Sequence, residues 1–481
     1  MKRQHKISIL KYAKGKIWVL ILPLLRGLLS EKVDLNGWIK NAYMDIIVIL
    51  FLITYAVLRW WSVQYEIFEK GIYVKSGIVF RQETFIPYEA ISCVTAYSFF
   101  LARPFKAVRI SVDSESKSVS KKHNPNDFEL YLSETEYSLL CNYIPYKNSN
   151  IKISYKASKR ELVFFSLLFS SALSGIIFIG TTLIQGSRIA GRSVEENLTE
   201  FVNDVGEAAE KFFGGAVPVS VALTLLLAAG WMISFIKNLL RHMCFRLKRC
   251  GKKIIVENGV FSSWKYYVNY SRINYADLQQ NMLMKICKVM SLHVSCTGYG
   301  KNKNELPVLV PVTGERRVMS TIRTMLPDFT QSNILIRPAA RSIVSYVWLP
   351  AAAVLLIPIA GVVLREFFHE WEEIIIFLTI MGEIPSIYLL AVKNLAHFVT
   401  GIGAGHKNLT LKYCRMYVFH TVIVSKERIA YVKIRRTFFQ LASGCCDMVF
   451  YTCGERVRAH KIKGIKYVEA ENLVSNYDKM C

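Results

Sequence analysis

Hydrophobic positions along this chain follow two periods. Four stretches, 161–184, 216–240, 343–364 and 374–398, are apolar almost throughout. Each runs to roughly 20 residues, the length that crosses a hydrocarbon core about 30 Å thick. A weaker pair opens the chain. Stretch 17–29 is short and carries Arg26, and stretch 46–61 ends in Trp60 and Trp61, side chains suited to a membrane interface. The blocks predict six spans in three hairpins, with a half-inserted first pair as the alternative. A cleaved signal peptide fits less well, because no small-residue cleavage site follows the first apolar run. Between the blocks the period drops to two. Val108, Ile110 and Val112, then Met290, Leu292 and Val294, then Cys446, Met448 and Phe450 each occupy every second position. That is the signature of half-buried strands.

The strand-rich segments repeat. An offset of 182 places Gly77 on Gly259 and Ile91 on Ile273, and a further 156 places Ile273 on Ile429. Gly77 and Gly259 separate two apolar runs, where a hairpin turn favours a residue free to take positive φ; Arg415 stands there in the third copy. Each copy continues into an apolar-rich stretch (Phe99, Met282, Phe438) and then an alternating strand. Each ends in a helix pattern. Ser133 is a capping residue ahead of helical spacing at Tyr137, Leu140, Cys141 and Ile144, and 313–326 and 468–480 are similar. The expected unit is a membrane hairpin, about seven short strands and one helix, three times over. The boundaries are 1–61 for the basic N-terminus and first hairpin, 62–150 for the first module, and 161–240 for the second hairpin with an external loop at 186–215. The second module follows at 250–328, the third hairpin at 343–398 and the third module at 406–481.

At these motifs the chain resembles bacterial pleckstrin-homology (PH) domain membrane proteins of the YdbS/YdbT-like group. Their soluble module has a glycine, a strand, an Ile/Val-Pro step and then Arg-Ile-x-x-Val. Here Phe85-Ile86-Pro87 precedes Ile91 and Val94, Arg272-Ile273 recurs in the second copy, and Arg428-Ile429 with Val432 in the third. The second and third copies lack the proline, and Ala90 replaces the arginine. The resemblance implies membrane α-helical hairpins plus α+β soluble modules. Three PH-like antiparallel β-barrel or sandwich domains would each be closed by a C-terminal helix. It also implies a non-enzymatic scaffold, with a role in envelope stress or resistance to antimicrobial compounds, acting through a membrane or cytoplasmic protein partner.

Charge refines this picture. The net charge is +25, and hydrophobic residues make up 52% of the 481, which excludes a disordered chain. The terminal and module segments hold 51 Lys and Arg against 21 acidic residues, whereas the three short connectors hold six against twelve. Lys and Arg mark the cytoplasmic side, so both termini and all three modules are expected in the cytoplasm of a multi-pass cell-membrane protein. Topology then explains the charge without a nucleic-acid partner, and anionic lipids would attract the same surfaces. All 11 cysteines fall in these segments, so disulfides are not expected.

Candidate chemistry is sparse. Glu383 lies inside the last apolar block before Pro385, and a carboxylate at membrane depth costs about 2.5–3.5 kcal/mol to insert. It is either a functional group of a transporter or lipid-handling bundle, or a structural carboxyl paired within the bundle, for instance with Arg26. Asp45 and Lys393 lie near block ends and read as interfacial. Lys75, Arg81, Arg103, Lys106 and Arg109 could contact an anionic headgroup, or form a solvated basic surface. Residues 369–373 lack the paired-histidine spacing of a metal helix, and the glycines at 401–405 follow a membrane block instead of a strand. No catalytic set, cofactor site or metal site is expected. Ile91, Ile273 and Ile429 are the expected core positions of the repeat.

Overall fold

The computed structural model describes residues 1–14, 35–78, 80–99, 104–114, 128–143, 153–169, 219–260, 262–299, 308–415, 417–453 and 458–478. The first copy contains β1 (Lys2–Arg3), α1 (Ser8–Lys14), α2 (Leu35–Ser62), β2 (Gln64–Ile67), β3 (Gly71–Ser76), β4 (Gln82–Pro87), β5 (Ile91–Ser98), β6 (Ala107–Ser114), β7 (Phe128–Ser133) and α3 (Glu134–Tyr143). The second contains β8 (Ile153–Lys156), α4 (Lys159–Phe169), α5 (Val219–His242), β9 (Arg246–Cys250), β10 (Lys253–Asn258), β11 (Ser263–Asn269), β12 (Ile273–Asn281), α6 (Met282–Ile286), β13 (Val289–Cys296), β14 (Val308–Gly314) and α7 (Glu315–Met325). The third contains α8 (Ile343–Phe367), α9 (Glu372–Val399), β15 (Gly401–Ala404), β16 (Asn408–Arg415), β17 (Val418–Ser425), β18 (Ile429–Arg435), α10 (Phe438–Ala442), β19 (Cys445–Thr452), β20 (Arg458–Lys466) and α11 (Tyr467–Asp478). Six strands, not seven, follow each hairpin among the described residues.

The same local devices recur in every copy. A 3₁₀ turn at Tyr88–Ala90, Tyr270–Arg272 and Lys426–Arg428 delivers the chain into Ile91, Ile273 and Ile429. The first amide of each turn donates to a carbonyl on the preceding loop: Tyr88 to Lys70 at 3.2 Å, Tyr270 to Lys252 at 2.8 Å and Lys426 to Lys407 at 3.1 Å. Ile91 and Ile273 are buried, and Ile429 is half-buried against the core of its copy. The closing helices are anchored alike. Lys106, Lys288 and Gly444 all take left-handed φ, at 49°, 54° and 65°. Their carbonyls accept from Glu134, Glu315 and Tyr467, the first residues of α3, α7 and α11. Ser133 and Glu136 form a reciprocal capping box at α3, and Ser158 and Glu161 form one at α4. Thr313 does not cap α7; its hydroxyl bonds Glu161 instead, at 2.6 Å.

The chain divides into two compact units that cut across the repeat. The first comprises residues 1–155, 246–273 and 296–305, and the second comprises the rest. Within the first lie a four-stranded sheet, β1-β2-β3-β4, and a seven-stranded one, β7-β6-β5-β11-β10-β9-β8, whose last residue falls beyond the boundary. Its core gathers Tyr65, Ile72, Ile110, Leu132 and Leu140 between the first copy's strands and α3. The second unit holds a six-stranded sheet, β14-β13-β12-β17-β16-β15, entered at the second residue of β12, and a three-stranded one, β18-β19-β20. Its largest core packs Leu411, Val422, Met448, Phe450 and Ile465 against α11.

All four sheets are antiparallel and open. The expected closure into barrels is not found among the described residues. The physical reason is that β5 and β12 spend their outer edges on the next copy, as β5·β11 and β12·β17. The helical segment of each copy is also entered and left through nearby strands. β1 pairs with β2, β8 lies beside β9, and Ile336 bridges Ile402 on β15.

Among the described residues two helices are long and apolar enough to cross a membrane, Ala340–Phe367 and Ile374–Val399, and almost none of their apolar windows is buried in the protein. Both correspond to expected blocks. Of the other expected spans, stretch 17–29 and most of 161–184 lie outside the described residues. α5 covers 219–242, and α2 begins at Leu35, ahead of its block.

The left-handed anchor gives a test. A Cβ at Gly444 would meet no atom within 4 Å, so Gly444→Val introduces backbone strain alone. We expect a loss of about 1–2 kcal/mol, read from the denaturant midpoint. Lys288→Gly, which relieves the same strain, is expected to be neutral or slightly stabilising.

Candidate functional site: strand edges and the helical hairpin

The two places where one copy grips the next are built differently. At β5·β11 the contact is aromatic. Tyr97 lies against Trp264 with ring centroids 4.2 Å apart, and the two are directly opposed in the ladder. Behind it, the hydroxyls of Tyr137 on α3 and Tyr267 on β11 are 2.6 Å apart, and the Lys253 ammonium sits 4.2 Å from the Tyr267 ring. Burial pushes both phenols up, so the paired hydroxyls stay protonated, and it pushes Lys253 down.

At β12·β17 the contact is polar. His420 Nδ1 lies 2.9 Å from Asp277 Oδ2, and Gln279 Nε2 donates to the same oxygen at 2.8 Å. Burial works against ionised Asp277, but the bond and charge of His420, with Gln279, more than offset it and hold the carboxyl below the usual carboxylate range. His420 stacks on Tyr413, whose hydroxyl meets His460 Nδ1 at 2.9 Å. The Asp277–His420 pair was not evident from sequence spacing, because its members lie 143 residues apart in different copies.

Among the end strands of the four sheets, β4, in the four-stranded sheet, and β18, in the three-stranded sheet, lack the neighbour that their counterparts in the other copies have. They are the counterparts of the gripping strands. β5 and β12 each begin with six consecutive buried residues, whereas β18 alternates between half-buried and exposed positions.

The basic residues singled out from sequence are dispersed. Lys75 pairs with Glu83 at 2.5 Å, and Arg81 is exposed beside β4. Arg109 pairs with Glu129 at 2.7 Å, and Glu129 also meets Lys11, so this guanidinium is already engaged. Lys106 lines a cavity of about 360 Å³ at the β5·β11 junction with Ser98, Glu134, Tyr137, Ser263 and Lys265. Lys265 was missed by sequence reasoning, since nothing local connects it to Lys106. Arg103 lies outside the described residues.

In the α8–α9 hairpin, a Cβ on Gly361 would come within 2.4 Å of the Thr379 hydroxyl, so the absent side chain lets the helices approach. α9 runs unbroken through Pro385, with the Ser386 hydroxyl donating to Gly382 at 2.8 Å. Arg365 and Glu372 pair across the turn. Glu383 is half-buried, and its Oε2 is enclosed with no hydrogen-bond partner. Arg26 lies outside the described residues. No group of three or more His, Cys, Asp or Glu could hold a metal among the described residues.

The Asp277–His420 pair generates a prediction. A folded carboxyl held below its unfolded value, near 4, stabilises fully at neutral pH and loses that contribution as pH falls below about 4. Thermal midpoints of wild type are therefore expected to fall more steeply below that pH than those of Asp277→Asn. His420→Ala strips the main partner from a buried carboxylate and should cost about 3–5 kcal/mol near pH 7.

Comparison with known proteins fits this architecture. No curated protein matches the chain. The family model of the bacterial PH domain matches residues 19–156 and 201–323, which together make up more than half of the chain. Residues 406–481, where the element order recurs, lie outside the match. By that match, carried on antiparallel sheets with a closing helix, the chain belongs to the bacterial PH domain family.

Proposed function

We propose that this chain is a membrane-anchored, non-catalytic interaction protein. Three PH-like modules, bounded as 62–150, 250–328 and 406–481, stand at the cytoplasmic face on three helical hairpins and offer strand edges to a protein partner. The observation that carries this reading is the mode of contact between successive copies. Strand addition at β5·β11 and β12·β17 holds the copies together, and the same kind of edge is left open at β4 and β18. Strand addition is a general way for a protein to recognise an extended partner. The membrane assignment is supported by the unburied apolar surface of α8 and α9, since helices apolar on all sides need lipid or protein around them. The hairpin roots support an even number of crossings, because both ends of a hairpin return to one sheet. Basic surfaces that include Arg81 and Lys106 would then face anionic lipid.

A second reading, a transporter or lipid-handling protein, is favoured by one observation, the unpartnered Oε2 of Glu383. A carboxylate of this kind at membrane depth either titrates in a water-filled path or meets a partner.

Alkaline carbonate washing separates the membrane assignment from its alternative. The chain should stay with the membranes, and a reporter fused after residue 481 should signal from the cytoplasmic side; release into the wash would overturn the proposal. For Glu383, purified chain in liposomes loaded with a pH-sensitive dye should show no proton flux. A flux present in wild type and abolished by Glu383→Gln at equal incorporation would establish the transport reading instead.

A further inference from the structure

We propose that the free edges of β4 and β18 are complementary, and that this chain pairs head to tail with a second copy, β18 of one against β4 of the next. This rests on the interaction reading above and names the partner.

The argument is one of register. At the first junction Tyr97 opposes Trp264 and Cys93 opposes Val268; at the second, Gln279 opposes His420 and Tyr275 opposes Val424. Under the repeat offsets of 182 and 156 these are the same pairs. The two junctions therefore share one register, although one is aromatic and the other polar. Carried forward once more, that register sets Arg435 opposite Gln82, Lys433 opposite Thr84, Val432 opposite Phe85 and Tyr431 opposite Ile86. β4 and β18 are the counterparts of the strands that pair at the two junctions, and each stands at the end of its sheet.

Burial points the same way. Tyr431 is 53% exposed, whereas its counterparts Cys93 and Tyr275 are 0% and 3% exposed. Phe85 is 51% exposed, whereas its counterpart Ile423 is fully buried. Phe85 would land on Val432, which already packs against the core of the third copy. Pro87 lacks an N–H, but its counterparts Asn269 and Ser425 lie just outside the two formed ladders, so the proline removes nothing the register uses. One feature opposes pairing. Arg81 and Arg436, just beyond the strand ends, would face each other, with Arg436 held 4.3 Å from the Tyr467 ring. Salt should therefore strengthen the association. The contact is heterologous, so copies add in a row or close into a ring. Lys433 and Arg435 also carry the charges that commonly guard a bare edge against addition, and the experiment decides between the two.

Two full-length variants, Thr84→Cys and Lys433→Cys, carry tags of different mass and are purified in detergent. Mixed under mild oxidation, they should give a cross-linked heterodimer well above the background of the parent chain, whose own cysteines set that background. Neither variant alone should cross-link above it, and Thr84→Cys mixed with Ile434→Cys, one residue out of register, should not either. Elution identical to the parent confirms that each variant is folded. In sedimentation, Phe85→Lys should weaken self-association about tenfold, while Arg81→Glu should tighten it. Absence of the mixed product, equal cross-linking out of register, or a product confined to one chain when both cysteines share it would each overturn the proposal. A chain that resists carbonate washing yet gives no mixed product loses self-pairing and keeps the interaction reading. A chain released by the wash loses the membrane reading whatever its cross-links show.

Discussion

An edge strand presents a row of backbone donors and acceptors that only another strand or water can satisfy. The organisation of this chain follows from where those rows are placed. β5 and β12 emerge from their 3₁₀ turns with both faces lined by residues that become buried. A strand buried on both faces cannot leave its outer amides to solvent, so the partner must be another strand. The next copy supplies it, and the resulting ladder prevents the sheets from curling closed on themselves. The division of the protein into units that straddle the repeat follows directly, because the front strands of the second copy pair with the first copy and β12 pairs with the third.

What the sequence disclosed and what it hid separate along the same line. The repeat was readable because Ile91, Ile273 and Ile429 recur in matching strand patterns at offsets of 182 and 156. The capping box of Ser133 and Glu136 was readable because its two residues sit three apart. The junctions were not. Alternation reports that a strand is half-buried and does not report which strand lies beside it, so Tyr97 and Trp264 gave no sign of meeting. Lys106 and Lys288 concealed the left-handed anchor that Gly444 alone would have suggested. Arg109 looked available for an anion until Glu129, on the neighbouring strand, was seen to hold it.

The chemistry of the junctions is freer than their geometry. Trp264 and His420 occupy the same place in successive copies, one against a tyrosine and one beside a buried carboxylate. Backbone pairing fixes the register, and the side chains then satisfy whatever local environment the pairing creates. Two unlike surfaces can in this way hold equivalent strands at equivalent spacing, which also keeps each copy from joining the wrong neighbour.

The strand pairs at the hairpin roots bear on how the chain folds. Lys2 meets Tyr65 across the segment that carries α1 and α2, and Ile336 meets Ile402 across the α8–α9 hairpin. Closing so long a loop by random search is entropically unfavourable and slow. Two helices packed side by side, as α8 and α9 are around Gly361, hold their outer ends near each other. The search that joins Ile336 to Ile402 then becomes local.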